Sequence, residues 1–561
     1  MIEAASVYSH YESLIENSVK DPETDPYRSK YKAICCLNGF LDVMTTFGTI
    51  KQGFESSPNE LHILCLRAAV LFLVGKLKYE TNEAGIAETL LLESLSKASA
   101  TPDVQKTLQL KLSILNQLGL IYCDLSKHEQ AEGVLLEAIS LYEETKNMSD
   151  KLWCVKDIFY GKIVDQNVSD DNLESENTLT LYYIAQVYQH LGKSSESAKY
   201  CSLTLRKQLE RGVTDTIYWA LNCATLSQYF ASRNFFEEAR HHLAAASWMM
   251  EKISLEVQEN NEGLERYHYR LADIQRCWAK YDLLLIDHSW ELVQETPVEK
   301  HELHFNCPRF PEAEIARFED VPFQTARTFE EARVIFLHGQ KMLNAAKSYY
   351  SLEDRATDYF EIVQEHSHLF RSLAKFEIDN GRESKMHRRR IDMLEDILKV
   401  MNKTLYLNVA QQIYFELGET YSDLFALKLE KVEALKKLRD HATLPAVVKA
   451  NQVAEKAIKV FTEFLDLYRD KNGKIPESLG EDNIRPVLLA RFYIGRFTSK
   501  FYSTDAKKII QSFRSAIEHF EYVIQYCANS KLAKDLLSEE LPVCTEMVQL
   551  LSLKIQRMVN P

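Results

Sequence analysis

Apolar residues recur along most of the chain at intervals of three and four, which is the period of an amphipathic α-helix. Alternating apolar and polar runs, which indicate half-buried strands, are almost absent. The pattern therefore predicts an all-α protein, and the next property to examine in such a chain is internal repetition.

Three segments share one set of positions, with identical internal spacings of 3, 1, 3, 9, 4 and 3 residues. Small residues in both predicted helices allow close packing, and an aromatic ring ends the first helix. The members are Leu115, Leu118, Gly119, Tyr122, Ala131, Leu135 and Ala138; Leu181, Ile184, Ala185, Tyr188, Ser197, Cys201 and Thr204; and Cys223, Leu226, Ser227, Phe230, Ala239, Leu243 and Ala246. This resembles the tetratricopeptide repeat, a helix–turn–helix unit, and places repeats near 115–145, 181–210 and 223–252.

The repeats are separated by insertions. Ile184 follows Leu118 by 66 residues and Leu226 follows Ile184 by 42, whereas a regular array steps by about 34. The first insertion contains residues 165–177, which carry five acidic residues and no basic one. We predict a solvated acidic loop there, with Ser169 as a candidate for an acid-directed kinase.

The second half of the chain is more degenerate. Tyr414, Leu417, Gly418 and Tyr421 repeat the first-helix pattern, but the matching Ala457, Phe461 and Phe464 begin 36 residues after Tyr421 instead of 9. These helices are therefore predicted to be elongated or interrupted. Four of the 13 prolines fall between Thr296 and Arg327, and proline stops helices. We predict an N-terminal lobe of residues 1–295, a junction at 296–327 and a C-terminal lobe of residues 328–561.

Composition and charge argue against several classes of partner and cellular location. The formal net charge of −14 disfavours nucleic acid and anionic membranes as partners. The most apolar run, Leu61 to Val74, is interrupted by His62 and Arg67 and is too short to span a bilayer. No secretory signal is visible, and the eleven cysteines contain no CxxC pair, so we expect reduced thiols and a cytoplasmic protein.

No constellation of residues indicates catalysis. Gly192, Lys193 and Ser194 lack the earlier glycine of a phosphate loop, and His301 and His304 are three residues apart rather than four. We therefore predict no enzyme activity, no cofactor and no metal site. One dense basic cluster, from Lys385 to Arg390, is interpreted as the solvated face of a helix, with a nuclear address or a contact to an acidic partner as alternatives.

Binding is expected on the face of the first helices that packing does not use. The sixth and ninth positions of the second and third repeats lie on that face, and Gln208 extends it from a second helix. These residues are Tyr183, Gln186, Gln208, Thr225 and Gln228. None is charged, which argues against a clamp for a partner's C-terminal carboxylate. Ordinary solvent-facing polarity is the alternative interpretation.

Longer strings resemble the KIF-binding protein family. They include LYYIAQVYQHLGK (181–193), AKYCSLTLRKQLE (198–210), VPFQTARTFEEARVIFLHGQKM (321–342), KMHRRRIDMLE (385–395) and IGRFTSKFYSTDAKK (494–508). The resemblance implies a right-handed helical solenoid of irregular tetratricopeptide repeats in two lobes. It also implies a non-catalytic, cytoskeleton-associated regulator that binds kinesin motor domains on its concave face and blocks their attachment to microtubules.

The same resemblance implies particular contacts. Through AQVYQ, ATLSQ and RKQLE it places motor contacts on Tyr183, Gln186, Gln208, Thr225 and Gln228, the residues that the helical-face argument selects. It adds a loop at 401–405, and hence Asn402 and Lys403. We expect a monomer. The alternatives are a general repeat scaffold without motor specificity and a hydrolase in the C-terminal half.

Overall fold

The computed structural model describes residues 2–48, 58–101, 103–146, 152–164, 166–213, 215–254, 261–294, 305, 308–310, 313–438, 443–470, 473–476 and 479–559. Within these ranges the regular structure is entirely helical, which confirms the all-α helical-repeat fold class. The backbone divides into two compact units, residues 1–226 with 304–312 and residues 227–303 with 313–561.

The first unit is built from consecutive helix hairpins. Helices α3 and α4, α5 and α6, and α8 and α9 pack against each other in pairs. The helices of this unit are α1 Ile2–Ser18, α2 Arg28–Gly48, α3 Pro58–Glu80, α4 Ala84–Ser99, α5 Val104–Asp124, α6 His128–Thr145, α7 Val155–Tyr160, α8 Gln166–His190 and α9 Ser194–Arg211, and α10 Thr216–Ser232 crosses from the first unit into the second.

The predicted repeat register is present in the packing. Leu118, Ala131 and Leu135 are fully buried. A Cβ atom on Gly119 would lie 2.7 Å from Cδ2 of Leu135, so only glycine allows α5 and α6 to approach this closely. The turn of each hairpin is also the same, since Asn82, Ser126, Gly192 and Asn234 all adopt a left-handed backbone with φ between 57° and 70°.

One repeat lies upstream of the three that the sequence indicated. Leu71, Val74 and Gly75 on α3 and Ala87, Leu91 and Ser94 on α4 have the same spacings, and a Cβ on Gly75 would lie 3.0 Å from Cγ of Leu91. The position of the closing aromatic ring is occupied by Lys78. Because the aromatic ring is missing, the sequence pattern alone did not identify this segment as a repeat, although its residue spacings match the other three.

The predicted acidic loop is wrong for residues 166–177, which form the first half of α8. Two of its acidic side chains, Glu174 and Glu176, are held by the preceding hairpin: Ser113 Oγ donates to Glu176 Oε1 at 2.6 Å, Asn116 Nδ2 donates to Glu176 Oε2 at 2.8 Å, and Tyr142 donates to Glu174. Tertiary hydrogen bonds therefore override a sequence that favours a solvated loop. Residue 165 and the side chain of Ser169 lie outside the described part of the chain.

The second unit contains longer helices. They are α11 Phe236–Ser254, α12 Asn261–Gln294, α13 Phe329–Tyr349, α14 Ala356–Ala374, α15 Asn380–Val400, α16 Leu407–Leu438, α17 Thr443–Asp466, α18 Glu481–Ser499, α19 Ala506–Asn529, α20 Lys531–Leu536 and α21 Glu540–Val559, with a short 3-10 helix at Ala313–Phe318. Helices α16 and α17 are 32 and 24 residues long. The stretched repeat is thus a hairpin of elongated helices, which was one of the two predicted possibilities; the other was interrupted helices.

The predicted junction at 296–327 differs from the observed division, which falls within α10. Residues 313–326, called the brace below, pack on α11 and α12. Trp248 Nε1 donates to Glu314 Oε2 at 3.0 Å, Tyr281 Oη donates to the Pro322 carbonyl at 2.7 Å, and the Ala326 amide donates to Ser289 Oγ at 2.9 Å. These contacts attach the segment to its own unit. Pro297 and Pro311 lie outside the described residues.

Candidate functional site

Helix α8 presents two of the predicted contact residues. Leu181, Ile184, Ala185 and Tyr188 are buried, as the packing positions of the repeat require, while Gln186 is exposed. The sixth-position residue, Tyr183, is half-buried rather than fully turned to solvent. The prediction that both side chains avoid the packing face is therefore confirmed for Gln186 and only partly met by Tyr183.

Tyr183 lies among other phenols and acidic groups. Its ring centroid is 5.7 Å from that of Tyr182. Burial raises the pKa of the Tyr183 phenol, and the negative charge of Glu176 adds to the effect. The hydroxyl therefore stays protonated at neutral pH and offers a donor at the edge of the packed core. The neighbouring Tyr182 ring is 48% exposed, and our sequence analysis did not select it as a contact.

Gln208 and Thr225 complete the predicted set in the first unit. Gln208 is half-buried on α9, where the adjacent Lys207 pairs with Glu174 at 3.4 Å. Thr225 is exposed on α10, and its hydroxyl donates to the Leu221 carbonyl at 2.9 Å. That bond stays within one helix and leaves the methyl group and a hydroxyl lone pair available to a partner.

Gln228, in the second unit, is engaged within the protein. Its amide nitrogen donates to the Cys277 carbonyl on α12 at 3.1 Å and lies 3.2 Å from Ser227 Oγ. The prediction treated Gln228 as equivalent to Gln186, but only its amide oxygen lacks a hydrogen bond in the described structure. Spacing along one helix does not reveal this difference, because the partner carbonyl comes from a helix 49 residues later.

Asn402 and Lys403 lie in the turn between α15 and α16. The Asn402 side chain is exposed, and its Oδ1 accepts hydrogen bonds from the amides of Thr404 and Leu405 at 3.2 Å each. Lys403 is half-buried, with Nζ donating to Tyr414 Oη at 2.5 Å. Both residues shape the turn, and the turn presents Leu405 with 70% of its surface exposed. The sequence analysis did not select that apolar side chain.

The buried histidines His241 and His242 have partners within the protein. His241 Nδ1 lies 2.6 Å from Glu319 Oε1, and His242 Nδ1 lies 2.8 Å from the Glu238 carbonyl. Among the described residues, no group of histidine, cysteine or carboxylate side chains is arranged to hold a metal ion. His301 and His304 lie outside them. None of the described helices combines the length and apolar character needed to cross a bilayer.

These features define a helical-repeat protein with exposed polar side chains on its helices. Residues 217–558 match the family described as "KIF-1 binding protein C terminal". Over 96% of its length, the chain is 33% identical to the KIF-binding protein of Danio rerio and 32% identical to that of Homo sapiens, covering 94% and 95% of those proteins. A solved structure described as "Kinesin binding protein (KBP)" matches with a TM-score of 0.65 and 28% identity over 98% of both chains. The chain belongs to the KIF-binding protein family.

Proposed function

We propose that this protein binds kinesin motor domains and prevents them from attaching to microtubules. The observation that carries the proposal is membership of the KIF-binding protein family over almost the whole chain. In this proposal the protein acts as a monomer in the cytoplasm, associates with the cytoskeleton through the motors and catalyses no reaction.

Exposed and half-buried polar residues of the first unit supply the proposed contact surface. Tyr183 and Gln186 are one turn apart on α8, and Thr225 occupies on α10 the position that Tyr183 occupies on α8. Uncharged hydrogen-bonding side chains on a rigid helical scaffold can match a partner at little entropic cost. Gln208 belongs to the same proposal. Gln228, Asn402 and Lys403 form a second set, in which the loop contact rests on Leu405 as well as on the two polar residues.

Charge supports the competition with microtubules. The microtubule surface is acidic, so the motor surface that docks on it must carry positive charge. A chain with a net charge of −14 is attracted to that same surface over about 8 Å at physiological ionic strength. Association should slow as salt increases, while short-range hydrogen bonds limit the loss of final affinity. Overlapping surfaces on the motor would make the two partners mutually exclusive.

Co-sedimentation with microtubules tests the proposal. Adding the protein should transfer kinesin motor domains from the microtubule pellet to the supernatant. A variant with Tyr183→Phe, Gln186→Ala, Gln208→Ala and Thr225→Ala should lose most of this effect, because a few contacts usually carry most of the affinity. It should melt close to the parent, because phenylalanine keeps the ring that packs on the core. The matched control is Gln130→Ala with Lys199→Ala, two exposed residues of the second helices α6 and α9.

Two results would contradict the proposal. Normal release of motors by the folded quadruple variant would remove the contact surface from it. Sedimentation of this protein, the motor domain and the microtubule as one complex would exclude competition and favour the alternative of a scaffold that bridges a motor to another partner.

A further inference from the structure

Four cationic side chains lie together in the second unit, where α15 and α17 each pack against α16. They are Arg388 on α15, Lys428 and Lys431 on α16, and Lys449 on α17, and they are called the basic patch below. Lys428 Nζ donates to Ser384 Oγ at 3.0 Å, which fixes it against α15. Burial lowers the pKa of Lys428, and the charges of Arg388, Lys431 and Lys449 lower it further. The other three charges therefore lie close enough to Lys428 to act on it.

The basic patch has no acidic counterpart in the described part of the chain. Arg388, Lys431 and Lys449 are exposed and make no ion pair there. The acidic residues closest along α16 have other partners. Glu430 accepts from Asn380 Nδ2 at 3.0 Å, and Glu433 accepts from Lys436 Nζ at 2.9 Å and from Tyr502 Oη at 3.0 Å. The positive charge is thus left to the solvent or to a ligand.

The elongation of the α16–α17 hairpin contributes three of the four cations. Lys428 and Lys431 follow Tyr421, and Lys449 precedes Ala457, so all three lie in the residues that a regular repeat would lack. The described residues from 428 to 459 contain seven lysines and three glutamates. This segment is positive although the chain as a whole has a net charge of −14. A local positive charge of this kind attracts acidic partners to this part of the surface.

Apolar side chains flank the charges. Leu444 and Val448 lie one turn apart on α17 and are 68% and 48% exposed. Val448 directly precedes Lys449 of the basic patch. A ligand that contacts the lysine therefore reaches apolar surface within the same turn of the helix.

We propose that the basic patch, with Leu444 and Val448 beside it, is a docking site for an acidic polypeptide segment that also carries apolar residues. Charge complementarity selects an acidic ligand. The two exposed apolar side chains favour a polypeptide over a nucleic acid, since a phosphate backbone gains nothing from them, and the chain as a whole repels polyphosphates. The basic patch shares no residue with the surface proposed for motor binding.

Fluorescence anisotropy of the full chain tests the inference. The probe is a short labelled peptide of glutamates with leucine at every fourth position. The variant Arg388→Glu, Lys431→Glu, Lys449→Glu should raise the Kd by about tenfold or more. The charge-matched control Lys531→Glu, Lys534→Glu, Lys554→Glu changes three exposed lysines of α20 and α21, which pack on α18 and α19, and should leave the Kd within about twofold.

Further arms keep the inference falsifiable. A peptide with serine for leucine should bind the parent more weakly, and Leu444→Ser with Val448→Ser should reduce binding of the leucine peptide only. Binding by the parent should also fall as salt rises, a measurement that needs no variant. Equal binding of the peptide by parent and folded triple variant would overturn the proposal. Tighter binding of single-stranded DNA than of the peptide would replace it with a nucleic-acid site.

Discussion

The seam between α5 and α6 in the first unit and the seam between α15 and α16 in the second unit are filled with different chemistry. Between α5 and α6 a glycine faces a leucine, with Gly119 against Leu135. Between α15 and α16 of the second unit, charged groups are buried: Arg390 is fully inaccessible to solvent, and Glu416 is 6% exposed. The first kind of seam depends on the shape of the side chains. The second depends on pairing of charges, and it should therefore fail far more abruptly when one partner is removed.

The largest effect is expected at Arg390. Its Nε donates to Ser367 Oγ at 3.2 Å, and its guanidinium lies 3.7 Å from the buried carboxylate of Glu416. Arg390→Met removes the guanidinium beside that carboxylate, which keeps His368 Nε2 at 3.4 Å, and it also breaks the ion pair with Asp423 at 3.3 Å. The free energy of unfolding should fall by about 3–5 kcal/mol. Denaturant unfolding followed by circular dichroism measures this, with Lys385→Met, an exposed change on the same helix, as the control.

A double variant separates charge from shape at this seam. Arg390→Met combined with Glu416→Leu should recover much of the stability, because buried pairs are often replaceable by apolar groups. If Arg390→Met alone is as stable as the parent, the seams of the two units do not differ in the way proposed here.

A smaller effect is expected where glycines allow close approach. A Cβ on Gly418 would lie 2.4 Å from Cζ of Phe461, a ring that stacks at 5.1 Å on Tyr493 and has little freedom to move. The corresponding Leu135 beside Gly119 has methyl groups that can rotate. Gly418→Ala should therefore cost about 2–3 kcal/mol and Gly119→Ala about 1 kcal/mol.

Unfolding midpoints of the two glycine variants test that ranking. Gly133→Ala is the control, since a Cβ there meets nothing within 4 Å and alanine favours a helix by up to about 1 kcal/mol. Adding Phe461→Leu to Gly418→Ala should restore part of the loss. A larger loss from Gly119→Ala than from Gly418→Ala would refute the argument from the rigid ring.

The smallest effect concerns pH and Asp282. Burial raises the pKa of this carboxyl to about 6, although His338, 2.8 Å away, favours the charged form. Because the folded pKa exceeds the unfolded one, the folded protein binds the proton more tightly, and Asp282 contributes increasing stability as pH falls from above 6 towards 4. Asp282→Asn should stabilise the protein at pH 8 by about 1–2 kcal/mol.

Melting temperature measured between pH 4 and pH 8 checks the sign of that prediction. The difference between Asp282→Asn and the parent should shrink as the pH falls through about 6, the pKa of this carboxyl in the folded protein. Asp320→Asn, an exposed carboxyl on the same unit, should give a constant difference near zero. If Asp282→Asn were less stable than the parent at pH 8, the attraction of His338 for the Asp282 carboxylate would exceed the cost of burying that charge, which would contradict the prediction.

The apolar seams could be predicted from the sequence because spacing alone defines them. Gly119, Ala131 and Leu135 occupy the positions that the repeat assigns, and their burial follows. Arg390 could not be predicted in the same way. It belongs to a basic run that was interpreted as solvated, and that interpretation holds for Lys385, Arg388 and Arg389 but not for Arg390 or His387. Partners from α14 and α16 determine the difference.

The candidate site shows the same limit. Helical periodicity predicts that Gln186 and Thr225 are exposed, and both are. The prediction succeeds because neither side chain has a long-range hydrogen-bond partner in the described residues. It treats Gln228 as their equivalent, although a carbonyl on α12 accepts its amide proton. Whether these residues contact a motor stays a prediction, which the co-sedimentation experiment addresses.

The brace has a consequence for synthesis on the ribosome. Trp248 on α11 donates a hydrogen bond to Glu314, which is translated 66 residues later. Tyr281 on α12 donates a hydrogen bond to the carbonyl of Pro322, which is translated 41 residues later. At about 5–20 residues per second, both helices emerge several seconds before the segment that covers them. A nascent chain that stalls in this interval exposes the surfaces of α11 and α12 that the brace later covers. A chaperone that binds nascent chains would therefore be needed most during this stretch of translation.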